Sequence, residues 1–197
     1  VDIDQCATST FVLTANGASP GTGLWSIVSG PGVITNVNNA STTITGVTAG
    51  DGSVPTVVRW TIDNGVCGFT NEDITLINYT TPTVSNAGVD QSKCTDGDFT
   101  LAGNVALSGV GTWTIQGAAN GASITGGEEN LANATVTGLT AGTSVTLRWT
   151  IVNGVCAASF DEVVLTNLSA APIADAGVDI DQCATSTFIL NANAASP

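Results

Sequence analysis

Cysteine is the residue type with the clearest chemistry in this 197-residue sequence. The five cysteines include no Cys-x-x-Cys pair, and the chain contains no His. A structural zinc site uses Cys and His ligands at such short spacings, so zinc is not expected. The cysteines predict disulfides instead, and disulfides indicate an oxidising compartment outside the cytoplasm. Buried free thiols are the alternative.

Carboxylates are the second group with possible chemistry. The sequence has 16 Asp and Glu against 3 Lys and Arg, which gives a formal net charge of −13. Several Asp side chains fall near the starts of repeated segments and in a linker, where grouped oxygen ligands would suit Ca²⁺. These are Asp2, Asp4, Asp175, Asp179 and Asp181. Asp also stabilises turns through side-chain hydrogen bonds to the backbone, so the turn and calcium interpretations both stay open, and no other cofactor is expected.

The composition excludes several classes of function. Arg59, Lys93 and Arg148 are the only basic residues, too few to bind the phosphates of a nucleic acid or an anionic membrane. No apolar run reaches the roughly 18 residues of a membrane helix, so this segment predicts no membrane insertion. Without His, and with one lysine that is not repeated, no catalytic constellation is visible. We therefore expect a protein that is not an enzyme and has no catalytic residues.

The sequence is built from repeats. Val1–Pro20 matches Val178–Pro197 at 17 of 20 positions, and a weaker copy begins at Val89. Arg59-Trp60-Thr61-Ile62 returns as Arg148-Trp149-Thr150-Ile151, which gives a period of about 88 residues. The chain starts inside one motif and stops inside a third copy, so we expect a slice of a longer array whose larger unit is a pair of repeats.

Three domains follow from this period. We assign residues 1–80 to a first repeat that lacks its first strand, and residues 81–170 to a second repeat. Residues 171–197 would hold the N-terminal strands of a truncated third repeat.

Each repeat shows the alternation of short β-strands. Phe11 and Leu13 share one predicted face, and Val58, Trp60 and Ile62 share another. About seven such strands in each repeat predict an all-β immunoglobulin-like sandwich, with the sandwiches joined end to end as a rod. The four tryptophans all occupy inward positions, so they are expected in the core and not as a sugar-binding platform. They are Trp25, Trp60, Trp113 and Trp149.

The alternation also suggests how the cysteines pair. A two-residue Asn64-Gly65 turn would place Cys67 opposite Ile62, on the buried face of Trp60. Cys6 lies just before the strand that carries Phe11. The predicted disulfides are therefore Cys6–Cys67 and, one repeat later, Cys94–Cys156, with Cys183 pairing beyond the fragment.

A longer motif now suggests a family. Arg-Trp-Thr-Ile-x-Asn-Gly-Val-Cys occurs twice, after Gly-x-Trp-x-Ile and before an acidic pair. It resembles the tandem Ig-like (PKD-like) repeats of the SprB-type giant surface adhesins of gliding Bacteroidota, such as Flavobacterium. The resemblance implies export by the type IX secretion system, an extracellular cell-surface location and a role in adhesion and gliding motility. It also implies that other parts of the parent protein bind the substratum or a surface polysaccharide, and that the gliding machinery is a partner.

The segment itself is then expected to be a structural stalk. The alternative is a carbohydrate-binding or enzyme-accessory module of a secreted protein, which exposed aromatic side chains clustered on one face would favour.

Overall fold

The computed structural model describes residues 2–94 and 96–194, whose regular secondary structure is almost entirely β-strand. The alternation of apolar and polar side chains explains the strands, because it lets each sheet bury one face. The first repeat contains β1 (Ile3–Cys6), β2 (Thr10–Thr14), β3 (Thr22–Ser29), β4 (Val33–Ile34), β5 (Ser41–Thr45), β6 (Ala49–Gly50), β7 (Thr56–Asp63) and β8 (Phe69–Tyr79), with one turn of 3₁₀-helix at Gly65–Cys67. The second contains β9 (Gln91–Cys94), β10 (Phe99–Thr100), β11 (Val110–Gln116), β12 (Ser123–Ile124), β13 (Thr135–Thr137), β14 (Thr143–Val152) and β15 (Ser159–Leu168).

Each repeat is a sandwich of two sheets. In the first, the sheet β1-β8-β7-β3, with β6 also paired to β8, faces the sheet β2-β5-β4. In the second, β11-β14-β15-β9 faces β10-β13-β12. The first strand of each repeat runs parallel to the last strand of the same repeat, and β6 runs parallel to β8, whereas the other pairs are antiparallel. The chain is therefore a tandem of immunoglobulin-like β-sandwiches, as the strand pattern predicted.

The cores lie between the two sheets of each sandwich. In the first, Phe11 and Leu13 from one sheet meet Trp25, Val58 and Trp60 from the other, all at most 6% exposed. The second core repeats this arrangement around Trp113 and Trp149. Alternation alone fixes which face of a strand is buried, and for this reason the inward positions of all four tryptophans were predicted correctly.

The described part of the predicted third repeat, residues 171–194, forms no β-strand, and its side chains are exposed. The strands β1 and β9 each pair with the last strand of their own repeat. The 197 residues contain no such last strand for the third copy. The domain limits assigned above stay a prediction.

Candidate functional site

The two repeats are joined by a disulfide between Cys6 and Cys156, with Cα atoms 5.1 Å apart. The predicted pairs Cys6–Cys67 and Cys94–Cys156 are therefore wrong. The bond crosses from the first strand of one sandwich to the β14–β15 hairpin of the next, over 150 residues of sequence.

The length of β8 explains why the predicted pairing fails. Cys6 lies beside Tyr79 at the end of β8, whereas Cys67 lies just before Phe69, where β8 begins. Eleven residues of β-strand separate these two points. At about 3.3 Å per residue they are roughly 30 Å apart, far beyond the ~7 Å between Cα atoms that a disulfide can bridge.

The predicted Cys6–Cys67 pairing also assumed a two-residue turn at Asn64-Gly65, and the hairpin between β7 and β8 does not contain one. A two-residue type I′ turn needs positive φ at both residues, but Asn64 has φ −116° and only Gly65 is positive, at 61°. The chain makes a turn of 3₁₀-helix instead, and Ile62 pairs with Thr70. Cys67 therefore lies in the loop, exposed, and not on the core face.

A buried amide forms the polar centre of the contact between repeats. Asn153, in the second repeat, is only 5% exposed. Its Nδ2 lies 2.9 Å from the carbonyl oxygen of Thr80, to which it donates a hydrogen bond, and 3.2 Å from that of Gly50, both at the end of the first sandwich. It also lies 3.2 Å from the hydroxyl of Ser108. Because this amide contacts several polar groups that are fixed on both repeats, it orients one repeat relative to the other as well as linking them.

An aromatic ring packs next to this amide. Tyr79 ends β8 of the first repeat, and its ring covers Gly154 of the second repeat so closely that a methyl group there would overlap it. A methyl group at Gly52, in the first repeat, would lie 2.8 Å from the same ring. Glycine is therefore needed at 154 for close approach as well as for its positive φ of 52°.

The segment that connects the two sandwiches, residues 80–86, is attached to the second sandwich by hydrogen bonds. Thr83 accepts a hydrogen bond from the backbone N–H of Ser108 through its hydroxyl, at 2.9 Å. Ser85 is 8% exposed and exchanges two hydrogen bonds with Ser159, at 2.8 and 2.9 Å. The connection is therefore ordered by its contacts and is not a free tether.

We call this set of contacts the joint. It consists of a hairpin half, Asn153–Cys156 of the second repeat, and a socket half, which is Cys6, Gly50, Tyr79 and Thr80 of the first.

A cleft of about 970 Å³ opens at the far end of the second sandwich. It lies between the end of β15 and the following segment, and Gly142, Leu168, Ser169 and Pro172 are among its lining residues. The Sγ atom of Cys94 lies 3.7 Å from the carbonyl oxygen of Ser169 at this end of the molecule. Cys183 is exposed and forms no disulfide with another described residue.

The aspartates proposed for calcium are held by local contacts or exposed. Asp2 accepts a hydrogen bond from the backbone N–H of Thr75, and Asp175 accepts one from that of Gly177. Asp4 pairs through its backbone with β8, and Asp179 and Asp181 are exposed. The described residues contain no group of three or more His, Cys, Asp or Glu side chains placed to hold a metal ion. Calcium stays a prediction.

Sequence reasoning missed the cross-strand ion pairs on the outer faces. Arg59 donates one hydrogen bond to each carboxylate oxygen of Asp73, at 2.6 and 2.9 Å. One repeat later, Arg148 donates two hydrogen bonds to a single oxygen of Glu162, at 2.9 and 2.6 Å. These hydrogen bonds from Arg59 lower the pKa of Asp73 below its ordinary value. The signal was present, because an acidic pair follows each Arg across one hairpin.

Among the described residues, the exposed aromatic rings are Phe69, Phe160 and Phe188, which occupy three different positions of the repeat. Phe69 is 68% exposed in the first repeat, whereas Phe160 is 59% exposed in the second and is stacked by Arg148 at 4.3 Å. The described chain also has no helix with the length and apolar character needed to cross a bilayer.

Comparisons with known proteins place the chain by its fold alone. No known family description and no curated protein matches the sequence. Solved structures of similar fold include a three-Ig segment of titin, 12% identical over 87% of this chain and 64% of that one, with a TM-score of 0.48. The insect immune protein hemolin is 15% identical over 84% of this chain and 44% of its own, with a TM-score of 0.41. Dpr2 Ig1–Ig2 in complex with DIP-Theta Ig1–Ig3 aligns at 11% identity over 89% and 66%, with a TM-score of 0.47. This chain thus spans less than two thirds of the titin and hemolin structures.

Proposed function

We propose that this chain is a segment of an extracellular stalk that carries tension and holds an adhesive element away from the cell. The observation that supports it is the Cys6–Cys156 bond, which joins the start of one repeat directly to the next repeat. Tension applied at the two ends would pass through this bond. Residues 7–155, which include nearly all of both cores, would then bear no load.

The joint supports the same role. Asn153 and the Tyr79–Gly154 packing add non-covalent contacts between the two sandwiches beside the disulfide. A freely hinged chain of domains would waste extension on bending, whereas a fixed joint keeps the stalk extended.

The resemblance to SprB-type adhesins makes the proposal more specific. In this proposal the stalk belongs to a surface filament that is exported by the type IX secretion system and moved by the gliding machinery. The substratum or a surface polysaccharide would be bound by other parts of the parent protein.

Antibodies against this chain should then label filaments on intact cells that make the parent protein, and labelling of lysed cells alone would contradict the proposal.

Single-molecule force spectroscopy tests the load path. With the chain held by its two termini, the oxidised protein should extend by roughly 500 Å less than the reduced protein after full unfolding, at about 3.4 Å for each shielded residue. Cys156→Ser should restore the full extension in the oxidised state. Cys67→Ser is the matched control, because Cys67 is outside the disulfide, and it should keep the shielding. An oxidised wild-type chain that extends in full would refute the stalk mechanism.

A further inference from the structure

The two halves of the joint each occur a second time in this chain. The hairpin half recurs as Asn64–Cys67 in the first repeat, with the same four residue types as Asn153–Cys156. In the second repeat, Asn153 is 5% and Cys156 8% exposed because the first sandwich covers them. In the first repeat, Asn64 and Cys67 are exposed.

The uncovered hairpin shares two backbone features with the covered one. Gly65 and Gly154 have φ of 61° and 52°. The backbone N–H of Cys67 donates to the carbonyl of Asn64 at 3.2 Å, and that of Cys156 donates to Asn153 at 3.1 Å. The turn that starts at Asn64 therefore matches the turn of the docked hairpin, although only the first hairpin continues as a 3₁₀-helix.

The socket half recurs at the far end of the second repeat. Cys6 is paired with Tyr79 in the first repeat, and Cys94 is paired with Leu168 in the second. Leu168 and Ser169 take the places of Tyr79 and Thr80 and, as described above, they line the open cleft there. Gly142 takes the place of Gly50 by the matching sequence Thr-Ala-Gly.

We propose that the Asn64–Cys67 hairpin docks into the Cys94 end of a second copy of this two-repeat unit, and that Cys67 forms a disulfide there with Cys94 of that copy. The joint seen inside the chain would then recur between units, so that each repeat is covalently bound to the next. The inference does not depend on the load-bearing role, because it follows from the internal repeat of the joint.

The chemistry is a two-electron oxidation. Each of the two thiols gives up its proton and one electron, the S–S bond forms, and both electrons reduce the disulfide of a small-molecule or protein oxidant to two thiols. Oxidised glutathione is such an oxidant and suffices for the test below.

Interlocked disulfides would give the array an unusual mechanical property. Because Cys183 occupies the position of Cys6 in the next unit, the shortest covalent path would run from Cys156 along residues 157–182 to Cys183 and across its own disulfide. Each unit would then extend to at most roughly 90 Å, even with both sandwiches unfolded.

A tandem chain tests the joint. Residues 1–177 placed ahead of the complete chain reproduce the natural boundary, since Val178–Pro197 is a near copy of Val1–Pro20. After refolding with oxidised glutathione, non-reducing peptide mapping should link Cys67 of the second copy to Cys94 of the first. A free Cys67 in the second copy, or one linked to a cysteine of its own copy, would overturn the proposal.

A measurement that does not require the disulfide completes the test. In the reduced tandem chain, alkylation of the second copy's Cys67 should be slower than that of the first copy's Cys67 by about tenfold or more, because burial in the joint protects the thiol. The first copy's Cys67 is the internal control, as no repeat precedes it. Asn64→Ala in the second copy should remove the protection, and the same change in the first copy should have no effect. Equal alkylation rates at the two positions would show that the hairpin does not dock.

Discussion

Trp60 packs against Trp25 in the first core, with ring centroids 5.1 Å apart, and it is 6% exposed. Trp60→Ala should therefore lower the free energy of unfolding by about 3–5 kcal/mol through lost contacts and a cavity. Chemical denaturation measures the loss. Phe69→Ala is the control, because Phe69 is 68% exposed, and it should change stability little. Equal effects of the two substitutions would mean that Trp60 is not a core residue.

The indole N–H groups distinguish two otherwise equivalent tryptophans. The Nε1 of Trp149 donates to the carbonyl of Asn104 at 3.1 Å, whereas the buried Nε1 of Trp60 has no partner among the described residues. Trp149→Phe should consequently cost about 1 kcal/mol more than Trp60→Phe, since it alone breaks a hydrogen bond. Thermal unfolding of the two variants would show this, and the reverse order would contradict the assignment.

The Arg59–Asp73 pair gives a pH dependence with a definite sign. Hydrogen bonds from Arg59 lower the pKa of Asp73 in the folded state. A carboxyl group with a lowered folded pKa stabilises the fold above its unfolded pKa of about 4, and this contribution is lost as the pH falls through the folded value. Asp73→Asn should therefore lower the denaturation midpoint at neutral pH but not in acid. Arg59→Gln should abolish the difference, and a pH-independent effect of Asp73→Asn would contradict this account.

The burial or partner of a residue could be predicted from the sequence where a local pattern decides it. The burial of Trp60 follows from period-two alternation in one strand. The partner of Cys6 does not, because it depends on the parallel pairing of β1 with β8 and on which sandwich ends meet. No local pattern carries that information.

At the scale of the element, the hairpin between β7 and β8 was predicted from the sequence only in part. Asn-Gly correctly predicted a turn between two antiparallel strands. It gave the wrong loop, because Asn64 takes a negative φ and the 3₁₀ turn includes Cys67. The type of turn set the exposure of the cysteine, and with it the disulfide pairing.

The two hairpins provide a matched test of the joint. Gly65 and Gly154 both have positive φ, so alanine at either position should cost about 1–2 kcal/mol in backbone strain. A methyl group at Gly65 meets nothing within 4 Å, whereas at Gly154 it overlaps the ring of Tyr79. Gly154→Ala should therefore also open the joint and speed reduction of the Cys6–Cys156 bond by dithiothreitol.

Gly65→Ala is the control for that experiment, since it adds the strain without the overlap. Its disulfide should be reduced at the wild-type rate. Adding Tyr79→Ala to Gly154→Ala should restore slow reduction by removing the ring. If both glycine variants were reduced equally fast, the contact of Tyr79 with Gly154 would have no role in the joint.

At the scale of the whole molecule, the tandem architecture was the most predictable feature. A period of about 88 residues with strand alternation defines two sandwiches regardless of their exact contacts. Their mutual placement was beyond the sequence argument, because a repeated motif does not show which groups of the other repeat it contacts. The amide of Asn153 lies in such a motif, but its acceptor is the backbone carbonyl of Thr80, which no side-chain pattern marks.

These contacts lead to a prediction about the shape of the molecule in solution. If the disulfide alone held the repeats together, Cys156→Ser would let them swing freely about residues 80–86. The structure also has the amide of Asn153, the ring of Tyr79 and the two hydrogen bonds between Ser85 and Ser159 across or beside the joint. Cys156→Ser alone should therefore keep a narrow distribution of angles between the sandwiches.

Electron microscopy of single particles measures that distribution. Cys156→Ser combined with Asn153→Ala should broaden it, because the buried amide supplies the central polar contacts once the bond is gone. Cys156→Ser with Asn64→Ala is the control, since Asn64 is exposed in this chain, and it should match Cys156→Ser alone. A broad distribution already in Cys156→Ser would mean that the disulfide is the only rigid element of the joint. A stalk built from such joints would then be straight only while it is oxidised.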